Sequence, residues 1–116
     1  MIIAVDFDGT LCEHKFPAIG GANIPLIMAL KELQRQGHKL ILWTCRKGNY
    51  LDKAVEWCSG YYGLWFDALN DDLPEIKNTD FGREKSQKIF ADVYIDDRNI
   101  EIQSFVIMAL KSENRV

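Results

Sequence analysis

Apolar and polar residues fall along this chain in blocks that predict strands and helices in turn. Ile2 to Val5 is a short, uninterrupted apolar run that stops at Asp6-Phe7-Asp8-Gly9. A run without polar alternation predicts a strand buried on both faces, as in a parallel sheet. Leu11 to Gly21 shows no period and ends in two glycines, so it reads as a loop. Asn23 is placed to cap a helix, and Pro25 suits its first turn. Leu26, Ile27, Leu30 and Leu33 then share one helical face, and Gly37 is a natural stop. A second strand is expected at Leu40-Ile41-Leu42-Trp43, ending at Thr44. Asn49 is placed to cap a second helix with a core stripe of Leu51, Ala54, Val55 and Cys58, and Ser59-Gly60 ends it. A third strand is expected around Leu64 to Leu69, then a polar stretch from Asn70 to about Lys88. The fourth strand, Ala91 to Ile95, ends at Asp96-Asp97. Ile102, Phe105, Val106, Ala109 and Leu110 predict a last helix.

The order β-α-β-α-β-loop-β-α predicts an α/β fold: a three-layer, doubly wound, Rossmann-like parallel sheet with helices on both faces. The length of 116 residues suits one domain and leaves no room for a second. Apolar residues make up 47% and charged residues 27%, which excludes a disordered chain. A net charge of −3 is not that of a general nucleic-acid binder. No apolar run approaches the length of about 18 residues needed to span a membrane. The first residues meet an acid at once, unlike a signal peptide. The three cysteines, Cys12, Cys45 and Cys58, suggest neither a disulfide framework nor a metal site. They read as reduced, buried thiols, and a cytoplasmic location is expected.

The chemistry lies where the predicted strands end. In an open parallel sheet, ligands bind outside the carboxyl ends of the strands. Strand one delivers Asp6 and Asp8 there, strand two Thr44, and strand four Asp96 and Asp97. Four carboxylates on one sheet edge repel each other unless a cation lies among them. Hard oxygen donors select magnesium, which keeps several waters and takes one or two carboxylates plus a substrate phosphate. Asp6 and Asp8, two apart in an extended segment, point the same way. Gly9 then lets the chain turn. Asp6 is thus placed to face a phosphorus atom while Asp8 reaches the leaving-group oxygen. Gly9, Thr44, Cys45 and Arg46 are the candidate phosphate-binding residues. Arg46 either meets a substrate anion or pairs with a local carboxylate, and Asn70 either borders the same edge or caps a loop. His14 reads as a surface residue, and Trp43, Trp57 and Trp65 read mostly as core.

Asp6-Phe7-Asp8-Gly9-Thr10-Leu11 resembles the first signature of the haloacid dehalogenase superfamily, most of whose members are phosphatases. Thr44 at the end of an apolar strand resembles the second signature, and Asp96-Asp97 after Tyr94-Ile95 the fourth. The resemblance covers nearly the whole chain. It implies that Asp6 is a nucleophile forming an aspartyl-phosphate, with Asp8 as general acid and then base. It implies that Thr44 bonds the phosphoryl oxygens and that Asp6, Asp8, Asp96 and Asp97 hold magnesium. It also calls for a lysine ahead of the fourth strand, where Lys88 is preferred over Lys85. The run from Lys88 to Arg98 resembles short bacterial and phage members and, more distantly, 5′-deoxyribonucleotidases, which tilts the substrate toward nucleotides. Asp92 and Arg98 are placed to pair beside the last motif.

Many members of that superfamily carry a cap domain, and neither gap that could hold one is long enough here. A capless core with an open site is therefore expected. Such sites act on macromolecular or exposed phosphates, or borrow a lid from a second subunit of a homo-oligomer. The phosphorylated substrate is thus left open between a small molecule and an exposed phosphate on a macromolecule. The leading expectation is a magnesium-dependent phosphomonoester hydrolase. The alternative is a low-turnover regulatory domain of the same kind that binds magnesium and phosphate.

Overall fold

The structure, a computed structural model, describes residues 1–77 and 89–96. Its elements are β1 (Ile2–Val5), α1 (Ile24–Arg35), β2 (Lys39–Leu42), α2 (Gly48–Tyr62), β3 (Ala68–Leu69), the single turn α3 (Pro74–Lys77) and β4 (Val93–Ile95). The four strands form one parallel sheet in the order β3-β2-β1-β4. The chain steps outward from β1 through β2 to β3, then returns to the far side of β1. This α/β arrangement is consistent with a Rossmann-like fold, and the reversal falls at β1, beside which such sheets bind their ligands.

Both faces of β1 are covered. Ile3 and Val5 join Leu40, Leu42 and Ile95 against Leu26, Ile27, Leu30 and Leu33 of α1 and Ala54 and Cys58 of α2. Ala4 and Ile41 point the other way and pack on Leu73 and Ile89. This two-sided burial is what the unbroken apolar run predicted. Each such aliphatic side chain, fully buried, contributes about 1.5–3 kcal/mol relative to exposure.

The caps explain where the helices begin and end. Asn23 accepts a hydrogen bond from the Leu26 N–H at 3.3 Å and starts α1, as expected. Gly37, with φ of 100°, turns the chain away after it. In α2 the expected boundaries move. Lys47, not Asn49, is the N-cap, and it makes no side-chain cap bond. Gly48, with φ of 55°, lets the chain turn before Asn49 is reached. At the other end Gly60 stays helical, and the left-handed stop is Gly63, with φ of 64°. Strand β3 shrinks to two residues, β2 ends at Leu42 rather than Trp43, and β4 starts at Val93 rather than Ala91. The polar stretch after Asn70 also holds α3. The predicted last helix lies outside the described residues. Among the described residues, no helix is long and apolar enough to cross a membrane.

Candidate functional site

Strand register assembles the site. Val5 pairs with Leu42 on one side and Ile95 on the other. The next residues in each strand direction, Asp6, Trp43 and Asp96, therefore leave the sheet at one level. The Asp6 N–H donates to the Ile95 carbonyl at 2.9 Å, and the Trp43 N–H to the Val5 carbonyl at 2.9 Å. Phe7 turns inward, fully buried, with its ring edge-on to Trp57 at 5.5 Å. Asp6 and Asp8 on either side of it share the opposite direction. Gly9 follows with φ of 83°, a left-handed turn that suits glycine.

A cavity of about 490 Å³ opens at this edge, lined by Asp6, Asp8, His14, Phe16, Thr44, Cys45 and Arg46. Five of these residues were predicted to be functional. Asp6 Oδ1 accepts from the Phe7 N–H at 2.8 Å. Thr44 Oγ1 accepts from the Arg46 N–H at 3.2 Å. Asn70, one of the open readings, holds Thr44 in place: its Oδ1 accepts the Thr44 N–H at 2.7 Å. Gly9 shapes the turn after Asp8.

Arg46 resolves in favour of the carboxylate partner. Its Nε donates to Asp8 Oδ2 and its Nη2 to Asp8 Oδ1, both at 2.8 Å. The same guanidinium reaches the Pro17 carbonyl at 3.3 Å and the Ala18 carbonyl at 3.0 Å. It lies 5.0 Å from the ring centres of both Phe7 and Phe16. Only 2% of this residue is exposed, despite its charge. Its hydrogen bonds to Asp8 raise its pKa, against the opposing effect of burial.

The thiols divide. Cys12 and Cys58 are buried as expected, but Cys45 is exposed on the cavity wall. Burial pushes the Cys58 thiol up to about 12 and raises that of Cys12 as well. The tryptophans also divide: Trp57 packs against the core, whereas Trp65 is 63% and Trp43 37% exposed. Trp43 follows the end of β2, and Trp65 lies in the connection between α2 and β3, so neither occupies a strand position.

His14 and Phe16 were not foreseen as cavity residues. Nothing in the spacing of Leu11 to Gly21 shows where that loop folds back. The neck between the Glu13 N–H and the Gly21 carbonyl, 2.9 Å, closes it, and its tip returns to the sheet edge. Asp92 accepts the Ile2 N–H at 2.7 Å and so anchors the start of β1; its expected partner Arg98 lies outside the described residues. Lys85, Lys88 and Asp97 also lie outside them.

Magnesium, if it binds here, has a donor set of fitting chemistry. Asp6 and Asp96 follow neighbouring strands in register, and magnesium needs only one or two carboxylates beside water and phosphate. Among the described residues no group of three or more His, Cys, Asp or Glu forms a metal cluster.

No family model matches the chain, and neither does any curated protein. A solved structure does: a conserved protein from Bacteroides thetaiotaomicron is 42% identical, with a TM-score of 0.79, and the match covers 100% of this chain and 93% of that one.

Proposed function

The chain belongs to the family of this conserved Bacteroides thetaiotaomicron protein, and we propose that it is a magnesium-dependent phosphomonoester hydrolase working through an aspartyl-phosphate on Asp6. The observation that carries the reading is the cavity at the ends of β1 and β2, which Asp6, Asp8 and Thr44 all line. These residues resemble those of the first two haloacid dehalogenase signatures. On this reading the fold is the doubly wound core of that superfamily, without a cap.

Hydrolysis then takes two steps. A carboxylate oxygen of Asp6 attacks phosphorus, and the bond to the leaving oxygen breaks as Asp8 gives that oxygen a proton. Asp8 next takes a proton from water as the water oxygen attacks the phosphorus. The acyl-phosphate bond breaks, phosphate departs, and the Asp6 carboxylate is restored. Thr44 donates its hydroxyl hydrogen to a phosphoryl oxygen, and Lys88 is the proposed counter-charge for phosphate. Asp6, Asp96 and Asp97, with the main-chain carbonyl of Asp8, are the residues that would hold magnesium. When bound, that ion would supply positive charge where the phosphoryl oxygens carry negative charge.

Release of phosphate from p-nitrophenyl phosphate and a panel of phosphomonoesters tests the proposal. Turnover should require a divalent cation and be lost in Asp6→Asn. Activity that survives either change overturns it. One observation favours the second reading, a regulatory domain with little turnover: both oxygens of Asp8 are already engaged by Arg46. Micromolar binding of phosphate with magnesium, and no turnover across the panel, would support that reading.

A further inference from the structure

The loop between β1 and α1 has no regular structure of its own, yet its tip reaches the cavity. Its neck is closed by the backbone bond from Glu13 to Gly21 and by a bridge between Cys12 and Ala22. Gly20 is packed so tightly that a Cβ there would lie 2.5 Å from the Glu13 carbonyl oxygen. Beyond the neck, His14 to Ala18 are exposed. Arg46 fastens this tip. It donates to the carbonyls of Pro17 and Ala18, and the Phe16 ring lies against its guanidinium. Phe16 also meets Tyr50 of α2 at 5.2 Å.

The guanidinium is close to saturated. Of its five N–H donors, two are committed to Asp8 and two to the loop carbonyls. A substrate phosphate could take a two-point bond from it only by displacing at least one of those partners. A two-point bond to carboxylate also fixes the plane of Asp8, which a lysine, as a point charge, cannot do.

We propose that Arg46 is a positioning residue: it braces Asp8 and the tip of the 13–21 loop as one unit, so that the loop's His14 and Phe16 stay on the cavity wall. The brace stands on the structure alone. Its catalytic consequence rests on the phosphatase reading above. The fork takes one lone pair on each Asp8 oxygen and leaves another on each to carry the proton. With the fork gone, Asp8 would lose its fixed orientation toward the leaving oxygen, and the loop would open.

Arg46→Lys tests this, because it keeps the charge and loses the fork. Trypsin cleavage after the exposed Lys15, followed by mass spectrometry, reads the loop directly. Cleavage there should quicken by about tenfold or more, as the open population grows, while cleavage within α1 and α2 keeps its rate. Turnover gives a second readout. The kcat for an alkyl phosphate, whose leaving group needs a proton, should fall about tenfold further than that for p-nitrophenyl phosphate. Should Arg46→Lys fail to melt cooperatively, Asp8→Asn carries the loop test, since it removes the ion pair from the other side and should also quicken cleavage after Lys15. Cleavage after Lys15 at the parent's rate overturns the brace, in Arg46→Lys if it folds and otherwise in Asp8→Asn. An equal loss of kcat on both substrates overturns the orientation of Asp8 by Arg46. The two readings fail separately. A parent without turnover but with Lys15 released in the variant overturns the phosphatase and supports the brace.

Discussion

The backbone N–H of Thr44 donates to Oδ1 of Asn70 at 2.7 Å, and the N–H of Asn70 returns to the Leu42 carbonyl at 2.7 Å. This reciprocal clasp joins the end of β2 to the end of β3, which is only two residues long. Asn70 holds it with φ of 52°, a left-handed conformation that asparagine tolerates better than most residues.

Two substitutions separate the roles of Asn70. Asn70→Gly keeps the backbone conformation and removes the acceptor. It should cost about 1 kcal/mol in urea unfolding, the scale of one hydrogen bond. Asn70→Ala loses the acceptor and adds left-handed strain, so it should cost about 1–2 kcal/mol more. On the proposed reading both raise KM for p-nitrophenyl phosphate, because Thr44 is no longer held. Equal stabilities for the two variants would show that the left-handed backbone carries no cost here.

Phe7 predicts a larger effect. It lies between the two candidate catalytic aspartates, is fully buried and meets Trp57 edge-on. It also lies under the Arg46 guanidinium. Phe7→Ala should cost about 3–5 kcal/mol through the lost side chain and the space it leaves. Phe7→Leu, which fills most of that space, should cost much less. Urea midpoints followed by tryptophan fluorescence check this, and similar losses for the two would argue against packing as the cause.

How much of this was legible beforehand differs from residue to residue. Ile2 to Val5 announced a two-sided strand because nothing polar interrupts it, and Asn23 announced α1 because a cap and a stripe agree. The start of α2 was misread because two polar residues, Lys47 and Asn49, bracket a glycine, and only the φ of Gly48 selects between them. The end was misread because Gly60 and Gly63 are equivalent on paper, and one of them stays helical. At the site, Asp6, Asp8 and Thr44 could be found because strand ends deliver them. Arg46 had two readings of equal standing, and the choice depended on where Pro17 and Ala18 fold back. A loop closed by backbone bonds leaves no periodic trace, so His14 and Phe16 carried no signal.

The proposed magnesium site predicts a stability readout independent of turnover. A ligand that binds only the folded state adds about 2.7 kcal/mol at a hundredfold excess over Kd. Magnesium should therefore raise Tm in the parent, and chelation should reverse the rise. Asp96→Asn should reduce the shift, because Asp96 follows Ile95, the neighbour of Val5 across β1 and β4. Glu75→Gln, in α3, should leave it intact. A full shift in Asp96→Asn would remove Asp96 from the ligand set.

The cysteines supply the last prediction, in two parts. Cys45 is exposed while Cys12 and Cys58 are buried, so a thiol reagent at pH 8 should label one site rapidly in the folded protein and all three in urea. The pH dependence follows from Cys58, which burial pushes from its ordinary 9.0 to about 12. Below pH 9 both folded and unfolded chains keep that proton, and the contribution of Cys58 to stability is fully present. Between about pH 9 and 12 the unfolded chain releases it and the folded chain does not, so the contribution falls by at most about 1.4 kcal/mol per pH unit. Lysines and tyrosines titrate in the same range, so the comparison must be with Cys58→Ala. Urea midpoints of the parent should decline from pH 9 to 10 more steeply than those of the variant. Parallel declines would mean that Cys58 is ionised as readily in the folded chain as in the unfolded one.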